Sequence, residues 1–159
     1  MENSTRPIVF RDTSLHKTDT RNRFRIPARF LKVLLGRGEQ SIVMARGPNS
    51  NIKIYPSSLW ETIEEKLFSK RDNRDINRLI RHWIGTSHRT DLNSTGRIKI
   101  PISLGEFSSI SGNTTIAIVG IYDHFEVWSK KIYDKDEEDF FDGLRRDGLL
   151  VDELSELGI

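Results

Sequence analysis

Apolar and polar residues alternate strictly in two short stretches of this chain. In Arg23-Phe24-Arg25-Ile26-Pro27 and Arg97-Ile98-Lys99-Ile100-Pro101 the apolar side chains fall on one face of a predicted strand and the basic ones on the other. The two stretches lie 74 positions apart. At that offset Asp19 aligns with Asn93, Thr20 with Ser94, Arg21 with Thr95 and Asn22 with Gly96, and further on Phe30 with Leu104. Ile52-Lys53-Ile54-Tyr55 then matches Phe125-Glu126-Val127-Trp128 at an offset of 73. Agreement in the same order at both ends points to one β-rich unit written twice.

Each copy reads alike. A polar turn ends on Asn22 or Gly96, residue types that tolerate positive φ. The basic strand follows, and the proline stops it and opens a helix. In the first copy that helix has an apolar face of Phe30, Leu31, Val33, Leu34 and Leu35 and ends at Gly36, while its counterpart is poorer, with Gly105 inside it. Two strands close each unit, predicted at 42–45 and 52–55 and again at 115–119 and 125–128, with turns at 48–51 and 122–124. Between the copies, Ser58-Leu59-Trp60-Glu61 has the pattern of a capping box. A break at 69–73 precedes a second connector helix with Ile76, Leu79, Ile80, Trp83 and Ile84 on one stripe and Arg74, Arg78 and Arg81 on the other side. The tail from Ser129 is predicted helical to about Phe141, with Tyr133, Phe140 and Phe141 as buried anchors. The fold class is α+β, mainly β. Its expected parts are a first unit at 8–58, a helical connector at 59–86, a second unit at 87–130 and an acidic helix and tail at 131–159.

The overall charge of +2 hides an asymmetry: residues 1–60 carry +7 and residues 131–159 carry −6. A basic head suits a polyanion, and an acidic tail repels one. The absence of cysteine excludes disulfides, thiolate metal sites and a cysteine nucleophile. No pair among His16, His82, His88 and His124 has zinc-motif spacing. No apolar run reaches the ~20 residues of a membrane span, and residues 1–12 lack the apolar core of a secretory signal. There is no phosphate-binding glycine loop and no nucleophile elbow. Ser87, His88 and Asp91 are close in sequence, but a triad is defined by geometry, so no enzyme, cofactor or small-molecule substrate is expected.

The basic strand carries the chemistry. Side chains two apart on a strand share a face about 6.6–6.8 Å apart. Arg23 and Arg25 can therefore engage neighbouring groups of a nucleic acid, and the arginine fork suits phosphate or the guanine edge. The bland alternative has Arg23 and Arg97 pairing with carboxylates such as Asp19 to brace their own turns.

At these residues the chain resembles the MraZ family, a double-copy member of the SpoVT/AbrB-like DNA-binding group. That family's signature is a turn Asp-x-Lys-Gly-Arg before a strand ending in Ile-Pro, present twice. Asp19-Thr20-Arg21-Asn22-Arg23-Phe24-Arg25-Ile26-Pro27 resembles the first copy and Asn93-Ser94-Thr95-Gly96-Arg97-Ile98-Lys99-Ile100-Pro101 the second. Ile54-Tyr55-Pro56 before Trp60-Glu61, and Phe125-Glu126-Val127-Trp128, resemble its strand ends, so the likeness spans about residues 8–142. Asn22 stands for the usual glycine, Asn93 for aspartate and Thr95 for a basic residue.

The resemblance implies swapped-hairpin units forming a double-split, barrel-like pseudo-dimer, and subunits assembled into a homo-oligomeric ring. It implies a cytoplasmic, nucleoid-associated regulator that binds direct repeats of double-stranded DNA in the promoter of the bacterial division and cell-wall gene cluster. Arg21, Arg23, Arg25, Arg97 and Lys99 would contact DNA, and Asp19, Asn22, Asn93 and Gly96 would form the turns. Two rivals are an AbrB-like antitoxin whose tail neutralises a toxin, and a ring-forming interaction scaffold that binds no DNA.

Overall fold

The computed structural model describes residues 9–159. Ile8, where the first unit was expected to begin, and most of the segment read for a secretory signal lie outside the described residues. The chain divides into two compact units, one up to Ser129 and one from Lys130 to Ile159.

The first unit holds strands β1 (Thr13–Lys17), β2 (Arg23–Arg25), β3 (Ser41–Arg46), β4 (Ile52–Pro56), β5 (His88–Asp91), β6 (Arg97–Lys99), β7 (Thr115–Gly120) and β8 (Phe125–Ser129). Helices α1 (Ala28–Gly36), α2 (Ser57–Ser69), α3 (Arg74–Trp83) and α4 (Ile102–Ser108) lie between them, and a 3₁₀ turn, Ile84–Thr86, follows α3. The fold is α+β with antiparallel sheets: six strands in the order β1-β7-β8-β4-β3-β5, and a separate ribbon of β2 and β6.

That order reads the same from either end once β1, β3 and β4 are exchanged for β5, β7 and β8. The registers repeat as well. Ser14 faces Ile118 across β1 and β7, and Met44 faces His88 across β3 and β5, which is the same pair with the copies interchanged. Each copy's first strand therefore pairs with the other copy's third strand. The copies also meet at β4 and β8, where Lys53 faces Glu126, and at β2 and β6, where Phe24 faces Ile98.

β1 and β5 are absent from the sequence expectation. β1 has one apolar residue, Leu15, and it points to solvent; β5 is His-Arg-Thr-Asp. Both are edge strands held by backbone bonds to a neighbour that only the fold supplies, so neither needs apolar alternation.

The main core is a single cluster drawn from both copies. Phe24, Ile26, Phe30, Leu34, Met44 and Ile54 pack with Ile98, Ile100, Leu104, Ile116, Phe125 and Val127. At its centre the rings of Phe10, Phe30 and Phe125 stand 5.1–5.4 Å apart. Neither copy could bury its apolar face alone. The opposite face of β3 and β4 packs Val43, Ala45 and Tyr55 against Trp60, with Leu59, Ile63 and Ile84 around them. Burial on both faces explains the nearly unbroken apolar run of β3.

The capping box expected at Ser58 does not form. α2 begins at Ser57 after Pro56, and no side chain caps it. The hydroxyl of Ser58 bonds to the Glu39 carboxylate instead. α3 has the true cap: Asn73 Oδ1 accepts from the N–H groups of Asp75 and Ile76 at 2.9 and 3.1 Å. Its predicted stripe is only half-buried.

The second unit consists of α5 (Lys130–Asp147) and α6 (Val151–Glu156). α5 runs past the predicted end at Phe141, and ion pairs of Lys130 with Asp134, Lys135 with Asp139 and Arg145 with Asp142 lace its surface. Phe140 and Phe141, expected as buried anchors, are 42% and 44% exposed. No element within the unit covers them.

Candidate nucleic-acid interface

The β2–β6 ribbon gathers the basic residues read separately from the two copies. Arg23 lies directly opposite Lys99, and Arg25 directly opposite Arg97. Phe24 and Ile98 between them are 4% and 1% exposed and plug into the core, so strand alternation turns all four cations to the other face. The patch measures about 7 Å along each strand and about 5 Å across it, from strand geometry.

The two turns that lead into the ribbon are tied by side-chain oxygens. Asp19 Oδ1 accepts from the N–H groups of Arg21 and Arg23, both at 2.9 Å. Asp19 Oδ2 meets Arg23 Nε at 2.8 Å. The N–H of Arg23 does most to hold the Asp19 carboxyl below its ordinary value; partial desolvation opposes it, and the Arg23 side chain and the Arg21 N–H reinforce it. In the second turn Asn93 Oδ1 accepts from Thr95 N at 3.1 Å, Thr95 Oγ1 at 2.6 Å and Gly96 N at 3.0 Å. The Asx geometry survives the change to asparagine, but the carboxylate that would hold the following arginine is gone.

The arginines therefore differ. Arg23 is braced through Nε and half-buried, so the bland alternative describes that nitrogen. Arg97 has no such brace. Among the described residues no carboxylate lies within ion-pair distance of Arg21, Arg25, Arg97 or Lys99, and all four are exposed. Like charges placed directly opposite on a ribbon destabilise it, so this arrangement costs stability that nothing within the ribbon returns.

Asn22 and Gly96 both take the left-handed conformation, at φ 58° and 68°. Each then hands its carbonyl to the other copy: Asn22 O accepts from Ile100 N at 3.0 Å, and Gly96 O from Ile26 N at 2.8 Å. The side chains over the turns are complementary. Leu31 lies over Gly96, where an added Cβ would stand 2.9 Å from its Cδ2. The position equivalent to Leu31 in the second copy is Gly105, and the Asn22 amide occupies the space there, donating to Ile110 O at 2.9 Å. The departure of Asn22 from the usual glycine is thus matched by Gly105, a pairing invisible without the fold. A groove of about 850 Å³ runs beside this first turn, lined by Arg21, Asn22, Lys99, Ile102, Gly105 and Glu106 among others.

Other candidate chemistry disperses. The hydroxyl of Ser87 donates to Ile84 O at 2.7 Å rather than to a histidine. Among the described residues no three metal-ligating side chains gather, and no helix is long and apolar enough to cross a membrane.

Fold and ribbon together define a class: small α+β proteins in which two internal copies exchange strands and present one shared basic ribbon. The family model "MraZ protein, putative antitoxin-like" matches residues 9–79. The protein named Transcriptional regulator MraZ of Thiobacillus denitrificans is 30% identical over 123 residues, covering 77% of this chain and 82% of that relative. Those of the same name from Clostridium acetobutylicum and Alkaliphilus oremlandii are 28% and 31% identical over 145 residues, covering 91% of this chain and 95% of each relative. The chain belongs to the MraZ family, which is not an enzyme family.

Proposed function

We propose that this protein is a sequence-specific transcription regulator that binds double-stranded DNA through the β2–β6 ribbon. The observation that carries this reading is the set of four cations on one ribbon face, with Arg25 opposite Arg97 and Arg23 opposite Lys99. Their mutual repulsion is relieved by a polyanion, and a two-stranded ribbon is a shape that the major groove admits. Arg21, Arg25, Arg97 and Lys99 reach DNA freely. Arg23, held at Nε by Asp19, offers its terminal nitrogens from a fixed position. Asp19, Asn22, Asn93 and Gly96 set the turns that aim them.

The relatives' name supports regulation of transcription as the role. The finer reading is a ring of subunits on promoter direct repeats of the division and cell-wall gene cluster, with each subunit's two copies forming a double-split barrel of swapped hairpins. The copy-symmetric strand exchange supports the barrel. Leu15 and Leu35, exposed in the single chain, support assembly. A ring repeats the ribbon and suits repeated boxes through multivalency. We take the copies as 8–58 and 87–130, joined by 59–86, and the site of action as the cytoplasm at the nucleoid.

The test is a gel shift on DNA upstream of the protein's own gene, with random DNA as competitor. Wild type should be retained on the specific duplex, and Arg25→Ala/Arg97→Ala should release it while the oligomer persists. Equal competition by random DNA would remove sequence specificity, and undiminished binding by the variant would place the site elsewhere. A second reading, an antitoxin-like protein whose tail holds a protein partner, draws on the exposed Phe140 and Phe141 of α5. A toxin-like neighbour that co-purifies through the tail would favour it.

A further inference from the structure

A second group of arginines lies outside the ribbon. Arg71, Arg74, Arg78 and Arg81, with Asp72 and Asn77, line a cavity of about 450 Å³ at the junction of α2 and α3. Arg71 is fixed: its guanidinium stacks 4.2 Å from the Phe68 ring centroid and donates to Phe68 O at 3.0 Å. Asn77 Nδ2 reaches Arg71 O at 3.4 Å and helps to close the wall. Arg74, Arg78 and Arg81 are exposed and have no ion-pair partner among the described residues.

The arrangement costs the helix something. Arg74 and Arg78 are four apart and Arg78 and Arg81 three apart, spacings at which like charges repel. Arg74 also sits in the first turn of α3, where the helix dipole favours anions over cations. Asp75 in the first turn and Asp72 in the cavity wall offset part of that cost, and an anion in the cavity would offset more of it. Arginine forks match phosphate oxygens bidentately. From Arg74 to Arg81 the helix rises about 10.5 Å, so its arginines can meet successive phosphates of one strand.

We propose that this connector cavity is a second nucleic-acid contact, which clamps backbone phosphates of DNA without reading its sequence. The inference rests on the DNA-binding reading above. Phosphate contacts position a protein and carry no base information, so the cavity adds affinity and salt dependence equally on all sequences.

The experiment uses the full chain and fluorescence anisotropy on two duplexes of equal length, one from upstream of its own gene and one random, across a salt series. Arg74→Gln/Arg78→Gln/Arg81→Gln should flatten the log–log salt slope by about 0.9 for each phosphate that is no longer neutralised, up to about 2.7, on both duplexes. The triple lysine variant should keep most of the slope. If the triple glutamine variant fails to assemble, Arg78→Gln alone decides, read at the wild-type oligomeric state: a slope flatter by about 0.9 supports the site, and an unchanged slope overturns it. Saturable binding of inorganic phosphate together with an unaltered DNA slope would assign the cavity to free phosphate and overturn the proposal. Loss of assembly in every variant with no change in slope would assign the arginines to a protein interface and likewise overturn it. Wild type that binds no DNA defeats the underlying reading; wild type whose slope ignores these substitutions defeats this site alone.

Discussion

Arg25→Gln should make the fold more stable and the DNA complex weaker. Arg25 faces Arg97 directly across the ribbon, and both are exposed without a carboxylate partner among the described residues. Opposed strand residues have Cβ atoms about 4.5–5.5 Å apart, so side chains that run parallel hold their charges on the order of 6 Å apart. In water their repulsion is about 0.7 kcal/mol. A Debye length of about 30 Å at 0.01 M salt leaves about 0.6 kcal/mol of this, and one of about 8 Å at 0.15 M leaves about 0.3 kcal/mol. Glutamine keeps most of the aliphatic stem, so little packing is sacrificed. The variant should therefore gain about those amounts in urea unfolding followed by tryptophan fluorescence at a fixed protomer concentration, with the gain vanishing near 1 M salt. Its DNA affinity should fall, with a salt slope shallower by about 0.9 if the residue meets one phosphate. Arg23→Gln is the internal contrast: it breaks the bond to Asp19 and should lose stability. A loss of more than about 0.5 kcal/mol for Arg25→Gln at low salt would mean that Arg25 holds the ribbon together, and the electrostatic argument would fail.

Two further predictions concern the turns. The Asp19 carboxyl lies below its ordinary value of 3.8 in the folded chain, so its stabilisation is complete above that pH and disappears as pH falls through the folded value; Asp19→Asn should flatten that acid-side loss in urea midpoints measured from pH 6 downward, and an unaltered profile would show that the turn bonds do not matter. Gly105→Ala places a Cβ 2.6 Å from Ile110 O and 3.0 Å from Asn22 Nδ2; overpacking of about 1–3 kcal/mol exceeds the helix-propensity gain of about 1 kcal/mol, so the variant should unfold at lower urea, and a stabilised variant would refute the fit of Asn22 against Gly105.

Much of the architecture is legible in the residues. The alternation at 23–26 and 97–100, the proline stops and the hairpin strands all follow from local pattern. The turn residues were legible too, because Asn22 and Gly96 are types suited to positive φ. The failures have separate causes. β1 and β5 have no apolar face of their own, since their bonding partners come from the opposite copy. Ser58 has the sequence of a cap, but Pro56 starts the helix earlier and Glu39 takes the hydroxyl. Phe140 and Phe141 have the hydrophobicity of buried anchors, yet their unit contains nothing to cover them.

For the candidate interface the division is sharper. Sequence by itself determined that two basic strands exist, that each has one buried and one exposed face, and that the first half of the chain is the more basic. It implied an unequal pair, with Arg97 and Lys99 secondary. Only the tertiary structure decided that the two strands pair with each other, so that Arg97 and Lys99 complete the patch begun by Arg23 and Arg25. Only the structure separated Arg23, braced by Asp19, from Arg97, which Asn93 leaves unbraced. The physical reason is range. Alternation and turn preference are set by each residue's own backbone and nearest neighbours, whereas strand pairing, charge proximity and the fit of Asn22 against Gly105 join residues more than 70 positions apart and depend on the exchange of strands between the copies.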